Sequence, residues 1–269
     1  MTTNDRPALV LGASGKSGRR VASRLWERNV PVRPGGRTGH PPFDWRDRAT
    51  WTPALEGAGA AYLSYQPDLA LPGAAAAVTE LTALAVDAGV ERLVLLSRRG
   101  EAEAQLAEKG FHAAAPFGTV LRCSWFAQNF SEGEFAAGVA AGELVLTAGD
   151  AVAEPFVDVE DVADVAVAAL TEDRHRGRTY ELTGPRLLRH AEAMAEIGAA
   201  LGRPVRAAAG GTAAGLLAPR VIEALDGRNE QICHGVDLAL GRPARDFRAF
   251  ARREARAGTW DVPARAGVG

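Results

Sequence analysis

Residues 8–20 read Ala8-Leu-Val-Leu-Gly-Ala-Ser-Gly-Lys-Ser-Gly-Arg-Arg20, an apolar run broken by glycines and resumed as a helical pattern through Val21, Ala22 and Leu25. Strand, glycine turn and helix thus follow one another near the start of the chain. Each glycine has its own task. Gly12 permits the tight turn off the strand, Gly15 lets backbone approach a pyrophosphate, and Gly18 lets helix and strand pack closely. The helix N-terminus then turns amide hydrogens and a positive dipole end towards phosphate. With 30 glycines in the chain, the spacing alone carries little. The strand before it and the helix after it make dinucleotide binding the expectation, against the plainer reading of an ordinary βα turn.

Working outward, 269 residues suffice for one large α/β domain, or one domain with a smaller lobe. Hydrophobic residues make up 47% and charged residues 24%, and the formal net charge is −2. That balance gives no footprint for nucleic acid or a membrane surface. Cys123 and Cys233 stand too far apart in sequence for a disulfide framework and fit a reducing compartment. The five histidines, His40, His112, His175, His190 and His234, show no metal-ligand spacing. No apolar run has the length of a membrane span, and Met1-Thr-Thr-Asn-Asp-Arg6 lacks the apolar core of a signal peptide. A cytoplasmic protein without a metal is expected.

The second strand is predicted at Val30 to Arg33, followed by a polar turn from Pro34 to Pro42. Folds that take NAD place an acidic side chain here, on the ribose 2′-hydroxyl. This stretch has no Asp or Glu between Asn29 and Phe43, and it carries Arg33 and Arg37 instead. A guanidinium grips a 2′-phosphate with paired hydrogen bonds, so NADP(H) is favoured over NAD(H), with Arg37 beyond the strand end as the better candidate. Phe43-Asp-Trp45 reads as a short extended piece, and Thr52 to Glu56 as a short helix. Ala58 to Leu63 reads as a strand that delivers Tyr65 and Gln66 to where cofactor ribose or nicotinamide would lie; packing is the alternative for Tyr65.

Val78, Leu81, Ala85 and Ala88 mark one face of a helix over residues 73–88. Glu91 to Ser97 is a continuous apolar strand of the buried parallel kind, then come a helix over 101–109 and a strand from Thr119 to Ser124. This alternation is the doubly wound α/β signature. Aromatic density then rises in Trp125-Phe-Ala-Gln-Asn-Phe130. Two fates stay open for it: core packing, or a pocket wall for a flat organic substrate with Gln128 and Asn129 as polar handles. Gly142 to Thr147 reads as a strand. Asp158 is placed as N-cap, and Asp161 as a first-turn charge, of a helix whose apolar face is Val162, Val165, Ala166, Ala169 and Leu170. Arg178 to Thr183 is the last strand. From Leu187 the chain reads as mostly helical, with Ala-rich helices to Phe250 and a loosely ordered tail from Ala257. The whole chain is expected to be a single Rossmann-like domain, 1–269, in which residues about 187–256 form a small capping and substrate lobe.

These segments together resemble the NmrA-like branch of the atypical short-chain dehydrogenase/reductases, and within it the bacterial relatives of the ergot-alkaloid reductases of festuclavine/agroclavine dehydrogenase type. The carrying stretches are Gly12 to Gly18, Pro41-Pro-Phe-Asp-Trp45 with Thr50-Trp51, Tyr62 to Pro72, Arg92 to Ser97, Leu121 to Phe130 and Pro155 to Leu170. They span most of residues 7–203. The resemblance implies NADP(H) as cofactor, with Gly12, Ser14, Gly15, Lys16 and Ser17 along the pyrophosphate and Arg37 at the 2′-phosphate. It also sets Ser97 at the place of the family's catalytic serine. The Tyr-x-x-x-Lys pair that should follow is missing, since the only tyrosines are Tyr62, Tyr65 and Tyr180.

That departure bears on the chemistry. Hydride addition to a ketone leaves an alkoxide that needs a nearby acid, which the Tyr–Lys pair supplies. Hydride addition to an iminium neutralises a cation and needs no proton, and quinones give weakly basic products. The expected function is therefore an NADPH-dependent reductase of a small planar molecule of secondary-metabolism type, such as an imine, a quinone or a polycyclic intermediate. Trp125 and Phe126 would face it. The alternative is a non-catalytic NADP(H) sensor of the NmrA type that controls a protein partner. A homodimer is compatible with either.

Overall fold

The computed structural model describes residues 6–133, 135–146, 151–209 and 227–261. They fall into two compact units. The first takes Met1–Ser124, Val159–Leu182 and Cys233–Pro243, and the second takes Trp125–Asp158, Thr183–Ile232 and Ala244–Gly269. Residues 187–256, expected as one lobe, are thus shared, with 233–243 in the first unit.

In the first unit, with strands numbered along the whole chain, β1 (Ala8–Leu11), β2 (Val32–Gly35), β3 (Ala60–Leu63), β4 (Arg92–Arg98), β5 (Thr119–Cys123) and β8 (Thr179–Leu182) form a parallel sheet in the order β2-β1-β3-β4-β5-β8. Every residue of β1 and β3 is buried, as strands covered on both faces require. On one face α2 (Trp51–Leu55), α3 (Ala74–Asp87) and α4 (Ala102–Ala114) set Trp51, Val78, Leu81 and Phe111 against Leu9, Leu63, Leu93 and Leu95. Each such side chain contributes about 1.5–3 kcal/mol on burial. α7 (Val159–Thr171) packs on α1 (Lys16–Glu27) and on β3, β4 and β5, and its expected apolar face is buried throughout. Arg20 and Arg24 tie α1 to Glu160 and Asp164 of α7, with Arg20 Nε to Glu160 Oε1 at 2.6 Å and Arg24 Nε to Asp164 Oδ1 at 2.7 Å. α9 (Gly235–Leu240) also packs on α7, and Arg242 just beyond it pairs with Asp161 at 2.8 Å.

Most boundaries shift by one or two residues from the sequence reading, and two of the shifts have a clear physical reason. The second strand runs Val32–Gly35 and not Val30–Arg33, because Val30 N still donates to Leu25 O in the exit from α1. Its Pro34 has no amide hydrogen, which an edge strand such as β2 tolerates. α4 runs on to Ala114 past Gly110. A Cβ there would lie 1.8 Å from Thr79 Oγ1, so this glycine permits close approach to α3 and is no stop signal.

The second unit contains α5 (Asn129–Glu132), α6 (Ala136–Ala141), β6 (Glu143–Leu146), β7 (Ala153–Glu154), β9 (Leu188–Arg189), α8 (His190–Leu201), β10 (Arg206–Ala209) and α10 (Phe247–Arg256). β6 pairs in parallel with β10, and β7 pairs antiparallel with β9. After Leu187 helix predominates among the described residues, as read from the sequence, but the short strands β9 and β10 depart from that reading. In β10 pairing with β6 overrides the helical preference of its alanines. Its core gathers Phe130, Phe135, Phe156, Met194, Ile197, Phe247, Phe250 and Trp260. The buried Trp260 indole donates to Phe130 O at 2.8 Å, so this large side chain is buried without an orphaned donor. Thr147, the Ala-rich stretch 210–226 and the tail 262–269 lie outside the described residues. Among the described residues no helix is long and apolar enough to cross a membrane, and no group of three His, Cys, Asp or Glu side chains could hold a metal ion.

Candidate functional site

The strand order reverses at β1, which has β2 on one side and β3 on the other. In open parallel sheets, ligands settle beyond the carboxyl ends of strands at such a switch point. The chain leaves β1 through Gly12, whose φ of 70° is the left-handed conformation that glycine adopts without strain. Gly12 O then accepts from Gly15 N at 2.8 Å, and a Cβ at Gly18 would lie 2.1 Å from the same oxygen. Any side chain at Gly18 would push α1 off the turn. α1 begins at Lys16 with no side-chain cap and no acidic residue in its first turn. Its dipole is therefore not neutralised from within the helix. Ser14 is exposed, Gly15 and Lys16 are half-buried, and Ser17 is buried.

Beside this turn lies a cleft of about 250 Å³ lined by Gly12 and Ser14, by Gly35, Gly36 and Arg37 after β2, by Phe43 to Arg46, and by Gln66 and Pro67 after β3. The structure so brings together Gly12, Ser14, Arg37 and Gln66 of the residues singled out from sequence. Gly15, Lys16, Ser17 and Gly18 stand in the adjoining turn and helix start and are not among the lining residues. The two arginines of the second strand region part company. Arg33 Nη1 donates to Ala54 O at 2.8 Å and Glu56 O at 2.7 Å, closing the end of α2. Arg37 is exposed and its side chain has no hydrogen-bond or ion-pair partner among the described residues.

Gly35, Gly36, Pro67 and the run Phe43 to Arg46 are the cleft residues that reading the sequence for function left out, and the run is the one with a signal. The signal was there, in the aromatic density of Phe43-Asp-Trp45 and Trp51. Trp45 packs edge-on to Phe43 at 5.1 Å and against Tyr65 at 4.8 Å. Both indoles are tied to backbone, Trp45 Nε1 to Ser64 O at 3.0 Å and Trp51 Nε1 to Asp44 O at 2.9 Å. The expected extended piece is thereby a pinned loop, in which Asp44 and Asp47 make only an isolated bridge. Tyr65 is half-buried and packs behind Trp45, outside the cleft lining.

Ser97, at the end of β4, does not line this cleft. Its side chain is buried, and its hydroxyl donates to Glu108 Oε1 on α4 at 2.5 Å. Glu108 is held in turn by Arg122, which reaches Glu181 Oε1 at 2.6 Å, and Arg99 pairs with Glu181 Oε2 at 3.2 Å. The hydrogen bonds that Arg122 donates to Glu108, opposed by burial and supported by Glu181, hold the Arg122 pKa above its ordinary value. Burial pushes the Glu181 carboxyl up, but Arg122, Cys233 and Arg99 outweigh it and leave it below the usual range. No tyrosine joins this cluster. Tyr62 is buried within β3, Tyr65 packs on Trp45, and Tyr180 Oη contacts His175 Nδ1 at 2.9 Å.

The aromatic segment of the second unit divides by residue. Trp125 and Phe126 are half-buried. Trp125 stacks on Phe135 with centroids 6.3 Å apart, and Phe126 bridges to Val157. Gln128 is fully buried and its amide donates to Asp158 Oδ1 at 2.6 Å, while Arg253 Nη1 donates to Asp158 Oδ2 at 3.0 Å. Asn129 is buried at the start of α5, and its carbonyl accepts from Phe135 N at 3.1 Å.

No family model matches the chain. Among curated relatives it is 34% identical to agroclavine dehydrogenase of Claviceps fusiformis, over 67% of this chain and 68% of that one. It is 33% identical to the (4-alkanoyl-5-oxo-2,5-dihydrofuran-3-yl)methyl phosphate reductase of Streptomyces griseus, over 93% of this chain and 98% of that one. Among solved structures it matches the fold of the triphenylmethane reductase of Citrobacter sp. in complex with NADP(H). That likeness has a TM-score of 0.71 and 18% identity, and covers 93% of this chain and 99% of that chain.

Proposed function

The chain belongs to the NmrA-like atypical short-chain dehydrogenase/reductases, a family of NAD(P)H-dependent oxidoreductases, and from that premise we propose that it uses NADPH to reduce a small planar organic molecule. The observation that carries the cofactor assignment is Arg37, a guanidinium with no partner among the described residues, in a glycine-edged cleft at the carboxyl ends of the first three strands. The cleft leaves room for a phosphate or ribose beside Arg37. A side chain added at Gly36 would meet nothing within 4 Å, so its backbone borders open space. We assign Gly12, Ser14, Gly15, Lys16, Ser17 and Gly18 to the pyrophosphate, Arg37 to the 2′-phosphate, and Gln66 to the ribose side, with Tyr65 supporting the wall by packing on Trp45.

When bound, NADPH supplies the hydride. The protein's own share is to orient its partner and exclude water. Ser97 donates into Glu108 and has no tyrosine beside it, so the reading gives this site no strong acid for an alkoxide. That favours acceptors whose reduced form needs no immediate proton, namely iminium ions and quinones. The names of the two relatives, a clavine dehydrogenase and an oxo-dihydrofuran phosphate reductase, support a small-molecule substrate of biosynthetic type.

The test is NADPH consumption by purified protein against a panel of cyclic imines, quinones and ketones. Turnover of imines or quinones without simple ketones is expected. Ketone turnover at comparable rates would overturn the argument from the missing acid, and NADPH binding with no turnover on the panel would favour the sensor.

A further inference from the structure

We infer that Arg46, and not Arg37 alone, sets the preference for a 2′-phosphorylated dinucleotide; this rests on the cofactor reading just given. The charged side chains lining the cleft are Arg37, Arg46 and Asp44. Arg37 and Asp44 by themselves sum to zero, and an anion entering would meet attraction and repulsion of equal charge. Arg46 turns that balance to a net positive cleft. Like Arg37, its guanidinium is exposed and has no hydrogen-bond or ion-pair partner among the described residues. Nearby arginines are otherwise engaged: Arg33 on the carbonyls of Ala54 and Glu56, and Arg48 on Glu80 at 2.7 Å. Two unpartnered like charges on one small cleft repel each other, and a dianion between them relieves that repulsion.

The backbone that carries Arg46 is fixed before any ligand arrives. Arg46 N donates to Asp44 Oδ1 at 2.9 Å, Asp47 N donates to Asp44 O at 3.1 Å, and the Trp51 indole holds the same carbonyl. The first link also turns one carboxylate oxygen of Asp44 towards the amide of Arg46. Phe43 N donates to Gly36 O at 3.0 Å, which ties the Arg46 segment to the residue before Arg37. The two cations are thus presented from both ends of one closed loop, with little ordering left to do on binding.

The experiment measures dissociation constants for NADPH, NADH, 2′,5′-ADP and 5′-ADP on wild type, Arg46→Gln, Arg37→Ala and the double variant, with a thermal melt of each as folding control. Arg46→Gln is expected to weaken NADPH and 2′,5′-ADP about tenfold and to leave NADH and 5′-ADP within about twofold, the loss of one charge-assisted contact. The double variant is expected to show no preference for the 2′-phosphate. Equal weakening of both cofactors, or an unchanged preference in Arg46→Gln beside a lost one in Arg37→Ala, would overturn the role of Arg46 and leave the cofactor site standing. Wild type without any preference for NADPH would remove the cofactor reading itself.

Discussion

Ser97 Oγ and Glu108 Oε1 stand 2.5 Å apart, both side chains buried, in a contact that joins the end of β4 to the middle of α4. A serine that donates into a carboxylate stabilises that carboxylate and does not act as an acid itself. Ser97→Ala is therefore expected to lower turnover by less than about tenfold while costing about 1–3 kcal/mol of stability, because Glu108 loses a buried donor. Steady-state rates and denaturant melts on the same variant check both halves. A loss of several orders of magnitude in turnover with normal stability would make Ser97 a participant in the reaction.

Arg33 and Arg37 offer a matched pair of substitutions. Arg33→Ala removes the donor to two carbonyls at the end of α2, so it is expected to destabilise the protein by about 1–2 kcal/mol and leave the ratio of NADPH to NADH affinity unchanged. Arg37→Ala removes no hydrogen bond or ion pair among the described residues, so stability should hold and NADPH affinity should fall much more than NADH affinity. Titration calorimetry with both cofactors distinguishes the two. Equal losses for both cofactors in Arg37→Ala would remove that residue from the 2′-phosphate.

Acid should loosen the seam between α1 and α7. Burial pushes the Glu160 carboxyl up, but hydrogen bonds and charge from Arg20 and Arg24 outweigh it and hold its pKa at about 2, below the ordinary 4.5. A depressed folded-state pKa gives stability that is complete above the unfolded value and is lost as pH falls through the folded one. The contribution, on the order of 2–3 kcal/mol, should therefore fade between about pH 4.5 and pH 2. Glu160→Gln should flatten the stability curve over that window, as measured by urea melts at stepped pH. A wild-type curve already flat there would show that the pair contributes nothing.

Much of the sheet was legible because local signals and tertiary demands agree in it. Gly12 and Gly18 do what the spacing implies, and β4, read at Glu91 to Ser97, forms at Arg92–Arg98. Where the two demands part, the sequence misled. Pro34 and Gly35 look like turn residues yet occupy an edge strand, and the alanines of β10 look helical yet pair with β6. The cleft was half legible. Arg37 was visible as a missing acid and a present cation. Arg46 was not, because its relevance depends on how the indoles of Trp45 and Trp51 fold the loop, which is a matter of hydrogen bonds to Ser64 O and Asp44 O and not of any repeat or spacing. Gln128 carries the opposite lesson. A polar residue amid aromatics suggested a handle for substrate, and the structure spends its amide on Asp158 in full burial.

One oxygen, Gly36 O, accepts from both Gly39 N and Phe43 N, and so closes residues 37–42 into a loop that hangs off the edge of the sheet. None of those residues belongs to a strand or a helix. Exchanges at exposed positions such as Arg37 and Thr38 therefore break no ladder, whereas a side chain at Gly39 would lie 2.8 Å from Pro34 O of β2. The proposed 2′-phosphate grip thus draws on Arg37 inside this loop and on Arg46 just past it, so its first cation can be exchanged without disturbing the sheet.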